Sequence, residues 1–328
     1  MTLPDPASPL SEAEAHAAFA AILDGSCSAE EITSFLVALA DRSETSIEIA
    51  AAAQEMRTRM IAVEAPANAI DVCGTGGDGS HSLNISTATA LVVAACDIPM
   101  AKHGNRAASS KSGAADTLEA LGLDLAKAAT KAEQNLRDIG IGFFFAPNHH
   151  PALGPLAPIR KAIGRRTIFN LLGPLCNPAR VKRQLIGVAS PDLVATYAEA
   201  AAQLGYDKAM IVSGEEGLDE LSISGPSRVA IISDGTVTIS RIAPEDMGLA
   251  RHPAEAITGG DPAYNAAALK ALLQGEHSAY RDAVLLNSAA ALMVAGEVDS
   301  WESGVEEAGE ALDKGLANAM LNCWIANQ

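Results

Sequence analysis

The residues in this sequence most suited to chemistry form a short succession that could bind a phosphorylated small molecule. A glycine-rich run, Gly74–Gly79, follows the apolar stretch Ile70–Val72, and a hydroxyl-bearing segment, Asn84–Thr87, comes soon after it. A compact basic loop, Lys102–Arg106, is next. Glycines let backbone N–H groups approach phosphate oxygens, a helix N-terminus offers free N–H donors, and lysine or arginine neutralises charge. The spacing therefore predicts a phosphate site.

The glycine run also satisfies the G-x-G-x-x-G fingerprint of dinucleotide-binding folds. That fingerprint requires an acidic residue at the end of the following strand, where it binds the ribose hydroxyls. Here the next predicted strand ends in Lys102 and His103, and the nearest acid, Asp97, precedes that strand. A cationic strand end is wrong for NAD and suits a phosphate, so we favour the phosphate site over the dinucleotide fold.

Three positions near this site have more than one interpretation. Asp78, within the glycine run, could accept hydrogen bonds from sugar hydroxyls, face a divalent cation, or simply favour a turn. Ser86 or Thr87 could cap a helix over residues 88–95 and could also meet phosphate or the water shell of a metal. The run Glu215–Glu220 holds four carboxylates in six residues. It could be an exposed acidic loop or could supply oxygen ligands to Mg²⁺.

Positive charge is concentrated in two places. Lys102, His103, Arg106 and Lys111 lie close together in a chain with only 23 lysines and arginines, which favours binding of a polyanion. His103 could equally be a structural histidine. A second basic group lies within Arg160–Arg166. One of its arginines could clamp a substrate carboxylate, although a solvated helix surface is the equal alternative.

Composition limits the class of protein. The 328 residues are 48% hydrophobic and 19% charged, which suits about two folded domains and not a disordered chain. The net charge of −17 disfavours general binding to nucleic acid or to an anionic membrane. The five cysteines are scattered without a C-x-x-C pair, which indicates reduced thiols. Because no secretory signal or bilayer-spanning stretch is visible, we expect a cytoplasmic protein.

Hydrophobic periodicity predicts the fold class as α/β, with a small N-terminal helical domain before a large α/β domain. Capping boxes at Ser11, Ser28 and Thr45 each open an apolar run of helical period. Further on, short apolar runs alternate with helical stretches, which predicts a central, mostly parallel sheet. The runs are Ile70–Val72, Pro99–Ala101, Gly142–Phe145, Leu185–Ala189, Ala209–Val212 and Val229–Ile232. We predict domains over residues 1–65 and 66–328.

In combination, these segments resemble the anthranilate phosphoribosyltransferases. The resemblance covers nearly the whole chain and includes Asp71–Gly79, Asn84–Thr87, Lys102–Ser112, Arg165–Asn170 and Gly217–Glu220. Nucleoside phosphorylases of similar architecture have a related glycine run but differ at Lys102–Arg106 and at Leu218–Glu220. The departures from the family are small. Ser82 stands where threonine is common and keeps the hydroxyl, and His81 and Leu83 replace the commoner asparagine and phenylalanine.

The resemblance implies transfer of the phosphoribosyl group of 5-phosphoribosyl 1-pyrophosphate (PRPP) to the amine of anthranilate, a step of tryptophan biosynthesis. The implied PRPP site comprises Gly74, Gly77, Asp78, Ser82, Asn84, Ile85, Ser86, Thr87, Lys102, His103, Gly104, Asn105, Arg106, Ala107, Ala108, Ser109 and Ser110. The implied anthranilate contacts are Gly74, Asn105 and Arg160. The implied ligands of Mg²⁺, two ions per subunit, are Ser86, Asp219 and Glu220. The helical domain, joined by part of residues 164–180, would form a homodimer.

The implied reaction requires no acid–base residue, because the lone pair of an aromatic amine is free at neutral pH. Lys102 would instead stabilise the leaving pyrophosphate electrostatically. Two alternatives from other classes remain. One is a pyrimidine nucleoside phosphorylase, which would use inorganic phosphate and no metal. The other is a non-catalytic, nucleic-acid-binding relative of the same fold, which the net charge of −17 disfavours.

Overall fold

The computed structural model describes residues 3–107 and 110–328. The helices in these ranges are α1 (Glu12–Leu23), α2 (Ala29–Arg42), α3 (Ser46–Arg59), α4 (Ile85–Ala94), α5 (Ala114–Leu121), α6 (Leu125–Thr130), α7 (Ala132–Asp138), α8 (Ala146–His149), α9 (Ala157–Ile163), α10 (Leu193–Gln203), α11 (Pro262–Leu273), α12 (Ala279–Ala295), α13 (Trp301–Asp313) and α14 (Leu316–Ala326). The strands are β1 (Ile70–Gly74), β2 (Met100–Gly104), β3 (Ile141–Phe145), β4 (Arg183–Gly187), β5 (Lys208–Gly214), β6 (Ser227–Ser233) and β7 (Thr236–Ile242). None of the helices in these two ranges combines the length and apolar character that a membrane span requires.

The first three helices begin at the predicted capping boxes. In each box the serine or threonine side chain accepts the backbone N–H of the glutamate three residues later, and that glutamate's carboxylate accepts the N–H of the cap. At Ser11, the N–H donates to Glu14 Oε2 over 2.9 Å. Reciprocal bonds of this kind satisfy two otherwise free donors at a helix start. They explain why the helical part of the chain was predictable from its sequence.

The seven strands form one sheet in the order β3-β2-β1-β4-β5-β6-β7. Strands β1 to β5 pair in parallel, while β6 and β7 add an antiparallel hairpin at one edge. The mostly parallel sheet predicted from the sequence is confirmed, and each apolar run overlaps a strand. Only β7 went unpredicted, because this edge strand is largely exposed and carries no apolar run.

Two large hydrophobic cores lie on opposite faces of the sheet. Helices α4 and α11–α14 pack on one face, and α10 packs on the other together with α1–α3 and the segment 168–176. Neighbouring residues of a strand point to opposite faces, so Leu185 joins the first core and Ile186 the second. The carboxyl ends of β1, β2, β4 and β5 remain open at one edge, where ligands of parallel sheets bind.

Candidate active site

The glycine run after β1 forms a tight loop at the carboxyl edge of the sheet. Gly76, Gly77 and Gly79 have φ values of 68°, 72° and 76°, which glycine adopts without strain. Successive N–H groups in such turns can point together and bind an anion. Gly74 is required for a different reason. It allows Asp219 to pack against the backbone, because a Cβ atom there would lie 2.3 Å from Asp219 Oδ2. The loop therefore depends on glycine for both shape and contact.

The carboxylate of Asp219 reaches into this glycine loop. Its Oδ2 atom accepts the backbone N–H of Gly76 over 2.6 Å. Burial and the nearby charge of Asp78 raise the pKa of Asp219 to about 6, against the opposing effects of the Gly76 hydrogen bond and the Arg166 charge. Burial, followed by the charge of Asp219, raises the pKa of Glu220 well above its ordinary value. The site thus crowds carboxylates together, and their mutual repulsion favours a cation between them.

The residues around the acidic pair could supply some, but not all, of the ligands of a Mg²⁺ ion. The Ser86 backbone amide interacts with the Glu220 carboxylate, so α4 begins beside the acidic pair. One Asp78 oxygen, Oδ2, is buried and has no hydrogen-bond partner in the described chain. Within residues 3–107 and 110–328, no group of three or more histidine, cysteine or carboxylate side chains forms a metal site alone. Mg²⁺ often takes one or two carboxylates and completes its shell with substrate phosphates and water, which fits this arrangement.

Helix α4 begins earlier than the sequence predicted. It starts at Ile85 with Asn84 as its N-cap, so the prediction of a helix over 88–95 capped by Ser86 or Thr87 is wrong. The reason is that tertiary contacts hold the Asn84 side chain. Its Oδ1 accepts hydrogen bonds from Thr117 Oγ1 and Asn265 Nδ2, at 2.5 and 2.8 Å. Ser86 and Thr87 therefore lie in the first turn, where backbone N–H groups have no acceptor within the helix.

Lys102 and His103 lie at the end of β2, as the predicted strand end has them, so the basic loop that the sequence predicted over Lys102–Arg106 begins only after Gly104. Each residue is only 3% exposed. Strand β2 pairs with β1 and β3, and an interior strand of a parallel sheet is buried on both faces. The Lys102 ammonium donates to the Val72 carbonyl over 2.6 Å. Its charge lowers the pKa of both Asp71 and Glu220, although burial raises each pKa overall.

A buried polar network holds this part of the sheet in place. Asp71 accepts the His103 backbone N–H at 3.2 Å and the side-chain amides of Asn177 and Gln184 at 2.8 and 3.0 Å. Tyr206 donates its hydroxyl to Gln184 Oε1 over 2.8 Å. Arg57 of α3, in turn, donates to the Tyr206 hydroxyl over 3.2 Å. Hydrogen bonds thus connect the N-terminal helices to the strand that carries Lys102. Asp71 and His103 lie in segments that the sequence analysis singled out, whereas it missed Arg57, Asn177, Gln184 and Tyr206, which belong to none of its motifs.

The exposed part of the basic segment begins after β2. Asn105 accepts the Arg106 backbone N–H with its own side chain, over 2.8 Å. The Arg106 guanidinium pairs with Asp116 and Glu119, at 2.8 and 2.5 Å, so it lies against α5. Ser110 donates to the Ser112 carbonyl over 3.3 Å. Gly104 ends β2 and Ala107 donates its N–H to Asp116. Ala108 and Ser109, also predicted for the PRPP site, lie outside the described residues.

The arginines of the second basic group have different neighbours. Arg160 is half-buried on α9, with its guanidinium 5.9 Å from the Phe169 ring, and burial lowers its pKa. Arg165 pairs with Asp41 of α2 over 2.6 Å. The Arg166 side chain lies against Gly77, 3.9 Å from where a Cβ atom would stand. The sequence did not indicate which arginine faces the site, and the structure places Arg166 beside the glycine loop.

His103 and His150 form a buried pair next to the site. Their Nε2 atoms are 3.4 Å apart and their rings meet edge to face. Burial, followed by the charge of His149, lowers the pKa of His150 to about 4. Burial and the neighbouring charge of His150 also lower the pKa of His103. Both rings are therefore neutral near pH 7, which suits a packing role.

Of two open cavities, the first borders the glycine loop and the second is lined in part by Arg166. The first has a volume of about 310 Å³ and is lined by Asp78, Gly79, Ser80, Ser82, Glu216, Gly217, Leu218, Ala254, Glu255, Ile257 and Thr258. The second, about 370 Å³, lies between α2 and the segment after α9 and includes Glu44, Arg165, Arg166 and Ser190. Both are large enough for a small anionic ligand.

Comparison with known proteins assigns both parts of the chain to one class. Residues 7–60 match the helical bundle domain of a glycosyl transferase family, and residues 66–318 match the a/b domain of a glycosyl transferase family. These matches define the chain as a member of a glycosyl transferase class.

Individual relatives narrow the class. Anthranilate phosphoribosyltransferase of Novosphingobium aromaticivorans is 64% identical over 99% of this chain and 98% of its own length. A crystal structure of the Thermus thermophilus enzyme of that name has a TM-score of 0.92 at 42% identity, covering 98% of this chain and 96% of that one. The Saccharomyces cerevisiae enzyme in complex with PRPP and Mg has a TM-score of 0.88 at 30% identity, covering 97% of this chain and 93% of that one. Its complex with 4-fluoroanthranilate has a TM-score of 0.86 at 29% identity, over the same shares. The chain belongs to the anthranilate phosphoribosyltransferase family.

Proposed function

We propose that this enzyme transfers the phosphoribosyl group of PRPP to the amine of anthranilate, giving N-(5-phosphoribosyl)anthranilate and pyrophosphate in tryptophan biosynthesis. The observation that carries the proposal is the contact between Asp219 and the Gly76 N–H, which joins the acidic pair to a phosphate-binding loop. Family membership supports both substrates, since the yeast relative has been captured with PRPP and with an anthranilate analogue.

We propose that PRPP lies along the glycine loop and the first turn of α4. The backbone groups of Gly74, Gly77 and the Asn84–Thr87 turn would contact its phosphates, because the Asn84 side chain is already hydrogen-bonded elsewhere. The remaining proposed contacts are Asp78, Ser82 and the residues from Lys102 to Ser110. Arg106 would have to leave Asp116 and Glu119 to reach the ligand, whereas Ser82 already lines the first cavity.

We propose that Ser86, Asp219 and Glu220 hold Mg²⁺, with two ions per subunit. The raised pKa values of both carboxyl groups, caused first by burial, support a cation at this point. The metal of the yeast PRPP complex supports Mg²⁺ as its identity. When bound, the metal would neutralise charge on the leaving pyrophosphate.

The chain's own residues would then act by position and charge. Lys102 would stabilise the leaving pyrophosphate through its buried charge. Its ammonium could do so while keeping its hydrogen bond to the Val72 carbonyl or after leaving it. Arg160, Asn105 and Gly74 would hold anthranilate so that its amine faces the anomeric carbon. Since the amine needs no base, correct placement of the two substrates would supply much of the rate.

We propose that residues 1–65, with part of 164–180, form a domain that makes a homodimer, and that residues 66–328 form the catalytic domain. Phe19 of α1 meets Phe169 edge to face at 6.4 Å, and Arg57 donates to the Leu175 carbonyl over 2.6 Å. These contacts support grouping part of residues 164–180 with the N-terminal helices. Light scattering of the purified protein tests whether it is a dimer. A cytoplasmic location stays a prediction, which cell fractionation tests.

The test of the proposed function follows anthranilate fluorescence. Adding PRPP and Mg²⁺ to enzyme and anthranilate should extinguish the signal, and omitting any one component should preserve it. A parallel assay with pyrimidine nucleosides and inorganic phosphate, without metal, should give no phosphorolysis. Constant fluorescence in the complete mixture, or phosphorolysis without metal, would contradict the proposal.

A further inference from the structure

Arg165 and Arg166 are adjacent in sequence but occupy different surroundings. Arg165 is bound to Asp41 over 2.6 Å, with both side chains about half exposed. Arg166 is half-buried and forms neither a hydrogen bond nor an ion pair with the described part of the chain. A guanidinium offers five N–H donors, so those of Arg166 are available to a ligand.

The Arg166 side chain lies along the glycine loop. Its Cδ, Nε and Cζ atoms are each 3.9 Å from the position a Cβ atom would take on Gly77. Three consecutive atoms at one distance mean that the side chain runs across the loop and does not point end-on at it. Gly77 has a φ of 72° and carries no side chain, so nothing separates the guanidinium from the loop backbone. The same arginine lines the second cavity, of about 370 Å³.

Electrostatics places this guanidinium on the acidic side of the site. Its charge lowers the pKa of Asp219 and of Glu44, although burial raises both pKa values overall. This positive charge partly balances the crowded carboxylates at the site. Because the guanidinium lies beside Gly77, the same charge can also pair with a dianionic group bound in the loop.

We propose that Arg166 binds the diphosphate group of PRPP over the glycine loop. This inference rests on the proposed function and adds a residue to it. The diphosphate is favoured over the anthranilate carboxylate because Arg166 lies against Gly77, within the phosphate-binding turn, whereas Arg160 lies against Phe169. An arginine can bind phosphate oxygens through two parallel N–H bonds, which a lysine cannot reproduce.

Calorimetric binding of PRPP, and separately of inorganic pyrophosphate, in Mg²⁺ tests the proposal without relying on turnover. Arg166→Gln should weaken both affinities by about tenfold or more, because charge-assisted hydrogen bonds are lost. Arg166→Lys should weaken them by a smaller factor. The matched control, Lys161→Gln, should stay within about twofold of wild type, because Lys161 is exposed and lines neither cavity.

Steady-state constants separate ligand binding from a structural role. In Arg166→Gln the KM for PRPP should rise while the KM for anthranilate stays within about twofold of wild type. Wild-type PRPP affinity in Arg166→Gln, or a loss confined to anthranilate, would overturn the inference. If Arg166→Gln does not fold, wild-type affinity in Arg166→Lys would overturn it equally. Failure of the proposed function is distinguishable, because wild-type protein would then bind no PRPP at all.

Discussion

Asp219 Oδ2 lies 2.6 Å from the backbone nitrogen of Gly76 and accepts its hydrogen bond. A donor of the glycine loop is thus bound to one of the protein's own carboxylates. A phosphate entering the loop would compete with Asp219 for this N–H, and the freed carboxylate would then be available to a cation. Under the proposed function, this contact would link anion binding by the loop to cation binding by the acidic pair.

Replacing Gly74 by alanine should disturb this contact. The added Cβ atom would stand 2.3 Å from Asp219 Oδ2 and 3.2 Å from the Asp219 carbonyl oxygen. The carboxylate must therefore leave its place, and we expect kcat/KM to fall about tenfold or more and the unfolding free energy by about 1–3 kcal/mol. Gly225→Ala is the control, since a Cβ atom there meets open space. Equal kinetics for the two variants would contradict the prediction.

Neutralising the acidic pair should change the metal requirement. The double variant Asp219→Asn, Glu220→Gln keeps both shapes but removes two negative charges, so the Mg²⁺ concentration for half-maximal activity should rise about tenfold or more. Titration of activity with Mg²⁺ at fixed PRPP measures the change. Glu215→Gln is the matched control, because Glu215 pairs with exposed Arg241. An unchanged titration in the double variant would remove these residues as ligands.

Truncation of Arg160 should affect one substrate more than the other. Arg160→Ala removes the charge proposed to hold the anthranilate carboxylate, so the KM for anthranilate should rise about tenfold or more and that for PRPP should change little. The adjacent Lys161 is exposed, and Lys161→Ala should leave both constants near wild type. Equal losses for both substrates in Arg160→Ala would count against the assigned role.

Acid should destabilise the protein through His150. Its pKa is about 4 when folded, against 6.5 as its ordinary value, because the neutral ring is buried. Between these values the unfolded chain binds more protons, so stability is full above pH 6.5 and is lost as the pH falls toward 4. We expect His150 to contribute about 1 kcal/mol of loss between pH 7.5 and pH 5.5.

Urea unfolding at those two pH values measures the effect. His150→Gln should show a pH-dependent loss smaller than wild type by about 1 kcal/mol, whereas exposed His277→Gln should show the wild-type loss. If the two variants lose stability equally, His150 is not the group responsible.

Much of the fold could be predicted because its signals are local. The capping boxes at Ser11, Ser28 and Thr45 lie within single helix starts, and the parallel strands appear as apolar runs. The exposed edge strand β7 has no such run, so it could not be recognised. The start of α4 was missed for another reason, since Asn84 is held by Thr117 and Asn265, which are distant in sequence.

The sequence predicted which residue types form the candidate site better than it predicted their burial and neighbours. The glycine run was identified from its composition and spacing, whereas Asp219 and Glu220 were singled out within Glu215–Glu220 only by the family resemblance. The structure brings Asp219 to the glycine run. The burial of Lys102 was not foreseen, because a lysine in sequence indicates exposure and only the sheet order places it between two strands. The position of Arg166 depends on how the segment after α9 packs against the N-terminal helices and α10, which no local pattern encodes.

The most direct test of the central claim is a crystal structure of this protein soaked with PRPP and Mg²⁺. We predict diphosphate density against the backbone of Gly76 and Gly77, with the Asp219 carboxylate moved from the Gly76 N–H toward a metal ion. Clear PRPP density away from the glycine loop, with the Asp219 contact unchanged, would contradict the account.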